Sequence, residues 1–179
     1  MDNGSIKKLR FGGCGIENIT ALERCTLPSL THLFLDFNNI TSIPSLGGHV
    51  HLKILSLGHT KIDSDGILSI SRQLERDDIN LSSLNLENTG LSENVELIAN
   101  SLKSNTKLQY LALGGNHIGD DGKRALLKLL IDVSSVDNTS KSNHTLLGLG
   151  SIYSEPNKTG LEEHIEDALK INRDNKDLD

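Results

Sequence analysis

The chain has 179 residues, length for one domain, with a net charge of −6 that argues against nucleic acid or an anionic membrane as the main partner, because both reward clustered lysine and arginine. No run approaches the roughly 18 apolar residues of a membrane-spanning helix, and residues 1–5 show neither the basic region nor the apolar run of a secretory leader. Only two cysteines occur, Cys14 and Cys25; they form no metal motif, and the expectation is a cytoplasmic protein with reduced thiols and no membrane insertion.

In chain order, one spacing recurs five times: apolar, two residues, apolar, one residue, apolar, two residues, a small polar residue, one residue, apolar. The copies are Ile6-Leu9-Phe11-Cys14-Ile16, Leu30-Leu33-Leu35-Asn38-Ile40, Leu52-Leu55-Leu57-Thr60-Ile62, Leu81-Leu84-Leu86-Thr89-Leu91 and Leu108-Leu111-Leu113-Asn116-Ile118. Their middle pair has period two, which predicts a short strand with one buried face. The polar position falls where the chain bends away from the strand, so Asn38 and Asn116 are expected to pair with buried backbone groups. Thr60, Thr89 and Cys14 are expected to do so more weakly, with Cys14 turned inward.

The segments between strands differ. The first, around Thr20 to Cys25, is short, and Pro44 disfavours a helix in the second. After Ile62, the spacing of Ile67, Ile70 and Leu74 predicts a helix. After Leu91, Val95, Leu97, Ile98 and Leu102 predict another, with Ser92 as N-cap. After Ile118, Ala125, Leu126, Leu127, Leu129 and Leu130 predict a third. Residues 133–143 read as a long polar loop. A degenerate sixth strand follows over 144–153, with His144 at the first apolar position and Leu146 and Gly148 facing outward. Leu161, Ile165, Ala168, Leu169 and Ile171 form a helical stripe over 160–173, with Glu162, Glu163, Glu166 and Asp167 mostly opposite, and this helix is expected to cap the last layer.

The five copies in register identify the chain as a member of the leucine-rich repeat family. The longer repeats resemble the ribonuclease-inhibitor type, in the phrase from Leu97 to Leu108 and in Asn116, His117, Ile118, Gly119, Asp120, Asp121 and Gly122. The early repeats resemble the shorter, 22-residue type. The resemblance implies an α/β fold: a right-handed curved solenoid with a concave parallel β-sheet and convex helices or short turns. It implies a single domain over 1–179, with repeats at about 6–29, 30–51, 52–80, 81–107, 108–143 and a degenerate 144–153. It also implies non-catalytic binding of a protein partner. Two alternatives accompany it, a regulatory or targeting subunit of a larger enzyme or motor and a GTPase-activating protein of ribonuclease-inhibitor-like type. The first repeat lacks a cap, which leaves room for an N-terminal edge contact with another subunit.

In such a sheet the outward residues follow from the pattern. Lys8, His32, Ile54, Ser83 and Tyr110 share one row, and Arg10, Phe34, Ser56, Asn85 and Ala112 share the next. Gly12, Asp36, Gly58, Glu87 and Gly114 form a third, and Gly13, Phe37, His59, Asn88 and Gly115 a fourth. Phe34 and Ile54 are diagonal neighbours rimmed by polar groups, the pattern of a binding hot spot. The candidate partner-binding residues are Lys8, Arg10, His32, Phe34, Asp36, Phe37, Ile54, Ser56, His59, Asn85, Glu87 and Tyr110.

Other motifs carry less. Gly12, Gly13 and Gly15, like Gly114 and Gly115, lack a phosphate loop's lysine and order and sit at matching repeat positions. His49, His51 and His59 lack a matched ligand set and read as surface histidines. Acceptor triplets begin at Asn18, Asn39, Asn80, Asn138, Asn143 and Asn157, several of them at turns that favour these residues anyway. No catalytic residue, metal ligand or cofactor is expected.

Overall fold

The computed structural model describes residues 6–132, 134, 142–150 and 160–176. Most of the expected loop over 133–143 and the end of the expected sixth strand lie outside the described residues, as do 1–5 and 177–179.

Five three-residue strands, β1 (Lys8–Arg10), β2 (His32–Phe34), β3 (Ile54–Ser56), β4 (Ser83–Asn85) and β5 (Tyr110–Ala112), form one parallel sheet in chain order. The central leucines pair in register as Leu9, Leu33, Leu55, Leu84 and Leu111. From Leu33 onward each is at most 2% exposed, and burying such a side chain contributes about 1.5–3 kcal/mol. No single repeat could hold its strand alone, and the burial comes from the layers on either side. Leu9 is only partly buried and Phe11 is 42% exposed, because β1 has no described layer outside it.

The connections follow the sequence. Helix α1 (Ala21–Arg24) is a single turn, and no helix lies between β2 and β3, where Ile43, Pro44 and Leu46 are buried instead. Helix α2 (Ser64–Leu74) buries Ile67, Ile70 and Leu74, and the Asp63 carboxylate caps it by accepting the Gly66 N–H at 2.8 Å. Gly66 has no room for a side chain: a Cβ there would collide with the Thr41 carbonyl and lie 2.8 Å from Ile62 Cγ2.

Helix α3 (Val95–Ser101) and helix α4 (Asp120–Leu130) complete the series. Ser92 does not cap α3. It opens a 3-10 turn over Ser92–Asn94 with φ 39°, closed by the Asn94 N–H to the Leu91 carbonyl at 2.7 Å, so backbone replaces the expected side-chain cap. Leu97 is 40% exposed, leaving Val95, Ile98 and Leu102 as the inward stripe.

The polar position behaves as the bend requires. Asn116 Oδ1 accepts the Thr89 N–H at 2.9 Å and the Leu91 N–H at 3.2 Å, and its Nδ2 donates to the Leu86 and Leu113 carbonyls. Asn38 does the same one layer from the edge, accepting from Cys14 and Ile16 and donating to Phe11 and Leu35. The hydroxyls of Thr60 and Thr89 each donate to one carbonyl, of Leu57 and Leu86. Cys14 is a correction: it is exposed, because no described residues form a layer outside the first repeat to enclose its side chain.

At the other end, Tyr110 pairs with Gly148 rather than Leu146. The register therefore places Leu146 and Leu149 in the inward positions, both at most 1% exposed, and His144 is exposed. Asn143 sets this register: its Oδ1 accepts the Thr145 and Leu146 N–H groups, as Asn105 Oδ1 accepts those of Lys107 and Leu108. The final helix, α5 (Gly160–Lys176), packs on α4 through Ile165, Ala168 and Leu169.

Three residues of α5 depart from the expected pattern. Ile171 is 52% exposed, and Asn172 is buried in its place, donating to the Asn143 and Leu146 carbonyls at 2.9 Å. Glu162, expected on the outer side, is 1% exposed, because its carboxylate meets Lys123 Nζ of α4 at 2.6 Å. His49 is likewise buried rather than on the surface, its Nε2 lying 3.1 Å from the Leu22 carbonyl.

Candidate functional site

Every strand turns its leucine inward and its two flanking residues outward, so the sheet presents the expected rows. Pairing sets Lys8, His32, Ile54, Ser83 and Tyr110 side by side, and Arg10, Phe34, Ser56, Asn85 and Ala112 beside them. Ile54 is diagonal to Phe34, and both are half-buried. The Arg10 guanidinium lies over the Phe34 ring at 4.9 Å, and the His32 ring is tilted beside it at 6.2 Å. Phe34 is thereby held between a cation and an imidazole, with Ile54 extending the apolar surface.

His32 sits among cations. Partial burial first, then the charges of Lys8, Arg10 and Lys53, hold its imidazole below the ordinary histidine value of 6.5. The Thr31 hydroxyl lies 2.8 Å from its Nδ1.

Beyond Phe34 the surface becomes a polar network. Asp36 Oδ1 accepts from the Ser56 hydroxyl at 2.6 Å, the Gly58 N–H at 3.0 Å and Asn85 Nδ2 at 3.3 Å, while Asn85 Nδ2 also reaches Ser56 Oγ at 3.1 Å. Three repeats are thus tied together across the sheet. Gly58 makes space for this: a Cβ there would lie 2.9 Å from Asn85 Nδ2 and 3.0 Å from Asp36 Oδ1. Ser56 is 7% exposed, so its hydroxyl serves Asp36 more than it faces solvent.

The fourth row runs along the loops that leave the strands. Gly13, Phe37, His59, Asn88 and Gly115 all have positive φ, from 51° to 71°. For Phe37 that backbone is a strained choice, of order 1–2 kcal/mol, yet its ring is 63% exposed and stacks on the His59 ring at 4.3 Å and 10°. His59 Nε2 in turn lies 3.5 Å from Asn88 Nδ2. Tyr110, 52% exposed, stands apart at the far end of the sheet.

The structure therefore groups ten of the twelve candidate residues into an Arg10–Phe34–His32–Ile54 cluster with Lys8 beside it, an Asp36–Ser56–Asn85 network, and a Phe37–His59 stack, and leaves Tyr110 apart from them. Glu87 lies opposite Gly58 between the last two. Lys53 and Asn88 were not among the candidates. Asn88 was legible from its row, whereas the nearness of Lys53 to His32 depends on side-chain geometry. Among the described residues no group of three or more His, Cys, Asp or Glu could hold a metal ion, and no helix is long and apolar enough to cross a membrane.

Leucine-rich repeat family models match residues 28–69, as two copies, and residues 104–127. Human NACHT, LRR and PYD domains-containing protein 5 is 30% identical over 146 residues, covering 72% of this chain and 12% of that protein. The rat NACHT, LRR and PYD domains-containing protein 3 is 26% identical over 140 residues, 74% of this chain and 13% of the relative. Human capping protein, Arp2/3 and myosin-I linker protein 3 is 30% identical over 134 residues, 62% of this chain and 10% of the relative. The chain thus spans 10–13% of the length of these relatives. Leiomodin-1 actin-binding site 2 shares the fold, with a TM-score of 0.64 at 19% identity over 99% of this chain and 87% of that one.

Proposed function

Because the chain is a leucine-rich repeat protein, we propose that it is a non-catalytic module, acting as one unit over 1–179, that binds a protein partner through the outward face of its sheet, centred on Phe34 and Ile54. The observation that carries this reading is the Arg10–Phe34–His32 arrangement next to Ile54. Four side chains from three strands are brought to one place by strand register, and the apolar ones are left half-buried with no covering element among the described residues. Aromatic surface fixed by a cation, with polar groups around it, is what interface anchors look like. The exposed Phe37–His59 stack extends the surface, and Asp36, Ser56 and Asn85 stiffen the ground beneath it. The outer edge of β1 is a second contact surface in this reading, for another subunit, and the exposed thiols of Cys14 and Cys25 suit a reducing, cytoplasmic setting.

Affinity capture from a lysate of the source cells, with the wild type and a Phe34→Ala/Ile54→Ser double variant, tests this. The expected result is one stoichiometric partner lost from the variant, whose circular dichroism is unchanged. A partner retained by the variant would move the site off this face.

A targeting role within a larger assembly is the second reading. It is favoured by a relative that is by name a linker of capping protein, Arp2/3 and myosin-I, and an enzyme or motor captured in one-to-one ratio would select it.

A further inference from the structure

The outward face is electrically lopsided. At the strand starts, backbone pairing places Lys7, Thr31 and Lys53 in one line, since the Thr31 N–H donates to the Lys7 carbonyl and the Lys53 N–H to the Thr31 carbonyl. The adjoining row is Lys8, His32 and Ile54, and Arg10 follows over Phe34. In the first three repeats these rows hold no carboxylate. The acids of this face, Asp36 and Glu87, lie at the strand ends. In a chain of net charge −6, cations gathered around the main apolar anchor are a local exception to the overall field, the pattern that steers a complementary partner.

We propose that this end of the sheet receives an acidic, extended segment of a protein partner, its carboxylates against Lys8, Arg10 and Lys53 and one apolar side chain against Phe34 and Ile54. The inference rests on the outward-face reading above and deepens it. The occupant is a protein segment rather than a polyphosphate because the cationic area is only three repeats wide and is bounded by Asp36 beyond the end of β2 and Glu87 beyond the end of β4, where a continuous phosphate backbone meets like charge. His32 adds a pH dependence. The groups facing it are Lys8 and Arg10 from β1, Ile54 and Lys53 from β3 and the residue before it, Phe34 on its own strand and Thr31 just before that strand. The neighbouring cations and partial burial disfavour its proton in the free protein; bound carboxylates offset those cations, so binding takes up a proton and tightens as pH falls.

The test uses nuclear magnetic resonance titration of the labelled full chain with a short capped peptide of glutamates around one leucine. A matched lysine peptide and a thymidine oligonucleotide of similar length serve as comparisons. The expected result is shifts confined to the amides of β1, β2 and the Lys53–Ser56 segment, produced by the glutamate peptide alone. Affinity should rise as pH is lowered from about 7.5 to about 6 and lose that dependence in His32→Gln. It should weaken on the order of tenfold in Lys8→Glu/Arg10→Glu but not in the remote control Lys128→Glu. Glutamate-peptide shifts that are absent, that lie elsewhere, or that survive the double reversal overturn the proposal. So does an equal response to the lysine peptide or stronger binding of the oligonucleotide. If these fail while Phe34→Ala/Ile54→Ser still abolishes capture of a partner, the face stands as the interface and only its charge assignment falls.

Discussion

Replacing Asn116 with alanine isolates what the polar position contributes. Asn116 is 2% exposed and serves four backbone groups in two adjacent layers. In Asn116→Ala the Thr89 and Leu91 N–H groups lose their acceptor and the Leu113 carbonyl loses its donor. The Leu86 carbonyl keeps the Thr89 hydroxyl at 2.8 Å. Three groups are left, each costing about 1–3 kcal/mol when buried without a partner. Some relaxation and water entry bring the expected loss to roughly 3–5 kcal/mol, a large share of the ~5–15 kcal/mol of a typical domain. Asn38→Ala removes the corresponding bonds, but three of its partners lie in the first repeat and two of those residues, Cys14 and Phe11, are exposed, so water replaces part of them and the loss should be about half as large. Urea unfolding followed by circular dichroism measures both. A loss below about 1 kcal/mol for Asn116→Ala, or equal losses for the two variants, refutes the reasoning.

Three further outcomes are expected. Lys123→Met should destabilise by about 3–5 kcal/mol, since it removes the cation that faces the buried Glu162 carboxylate at 2.6 Å, and Lys123→Met/Glu162→Leu should recover most of that; thermal unfolding of the three proteins checks it, and a double variant no better than the single one contradicts it. Gly66→Ala should cost about 1–3 kcal/mol despite the higher helix propensity of alanine, because the new Cβ meets the Thr41 backbone; chemical denaturation showing stabilisation would count against that packing. The His32 imidazole, followed by its ring proton resonances, should titrate below 6.5 and move upward in Lys8→Glu. Because the folded value is lowered, the stability linked to this group is present above pH 6.5 and is lost as pH falls through the folded value. A midpoint at or above 6.5 contradicts the assigned surroundings.

The repeat spacing by itself determined the fold class, the strand register, the inward leucines and the rows of outward residues, down to Phe34 beside Ile54. It could do so because a parallel stack of near-identical units reuses one local pattern, and each layer needs only its neighbours. The same pattern marked which connections are helical, through Pro44 in one and the Ile67, Ile70, Leu74 stripe in another. Tertiary structure alone decided the rest, wherever one side chain's environment depends on a distant partner or on a missing one. Cys14 is exposed because nothing described lies outside the first layer, although its spacing matches the buried Asn116. Glu162 is buried because Lys123, on another helix, meets it. Leu146 faces inward because Asn143 fixes the turn before it, a contact that the degenerate spacing hides. On the outward face, spacing placed Asp36, Ser56 and Asn85 in neighbouring rows, but only the folded geometry joined them into one network. Whether neighbouring polar groups bond to each other or stay open to a partner depends on a few tenths of an ångström, a distance that sequence periodicity does not encode.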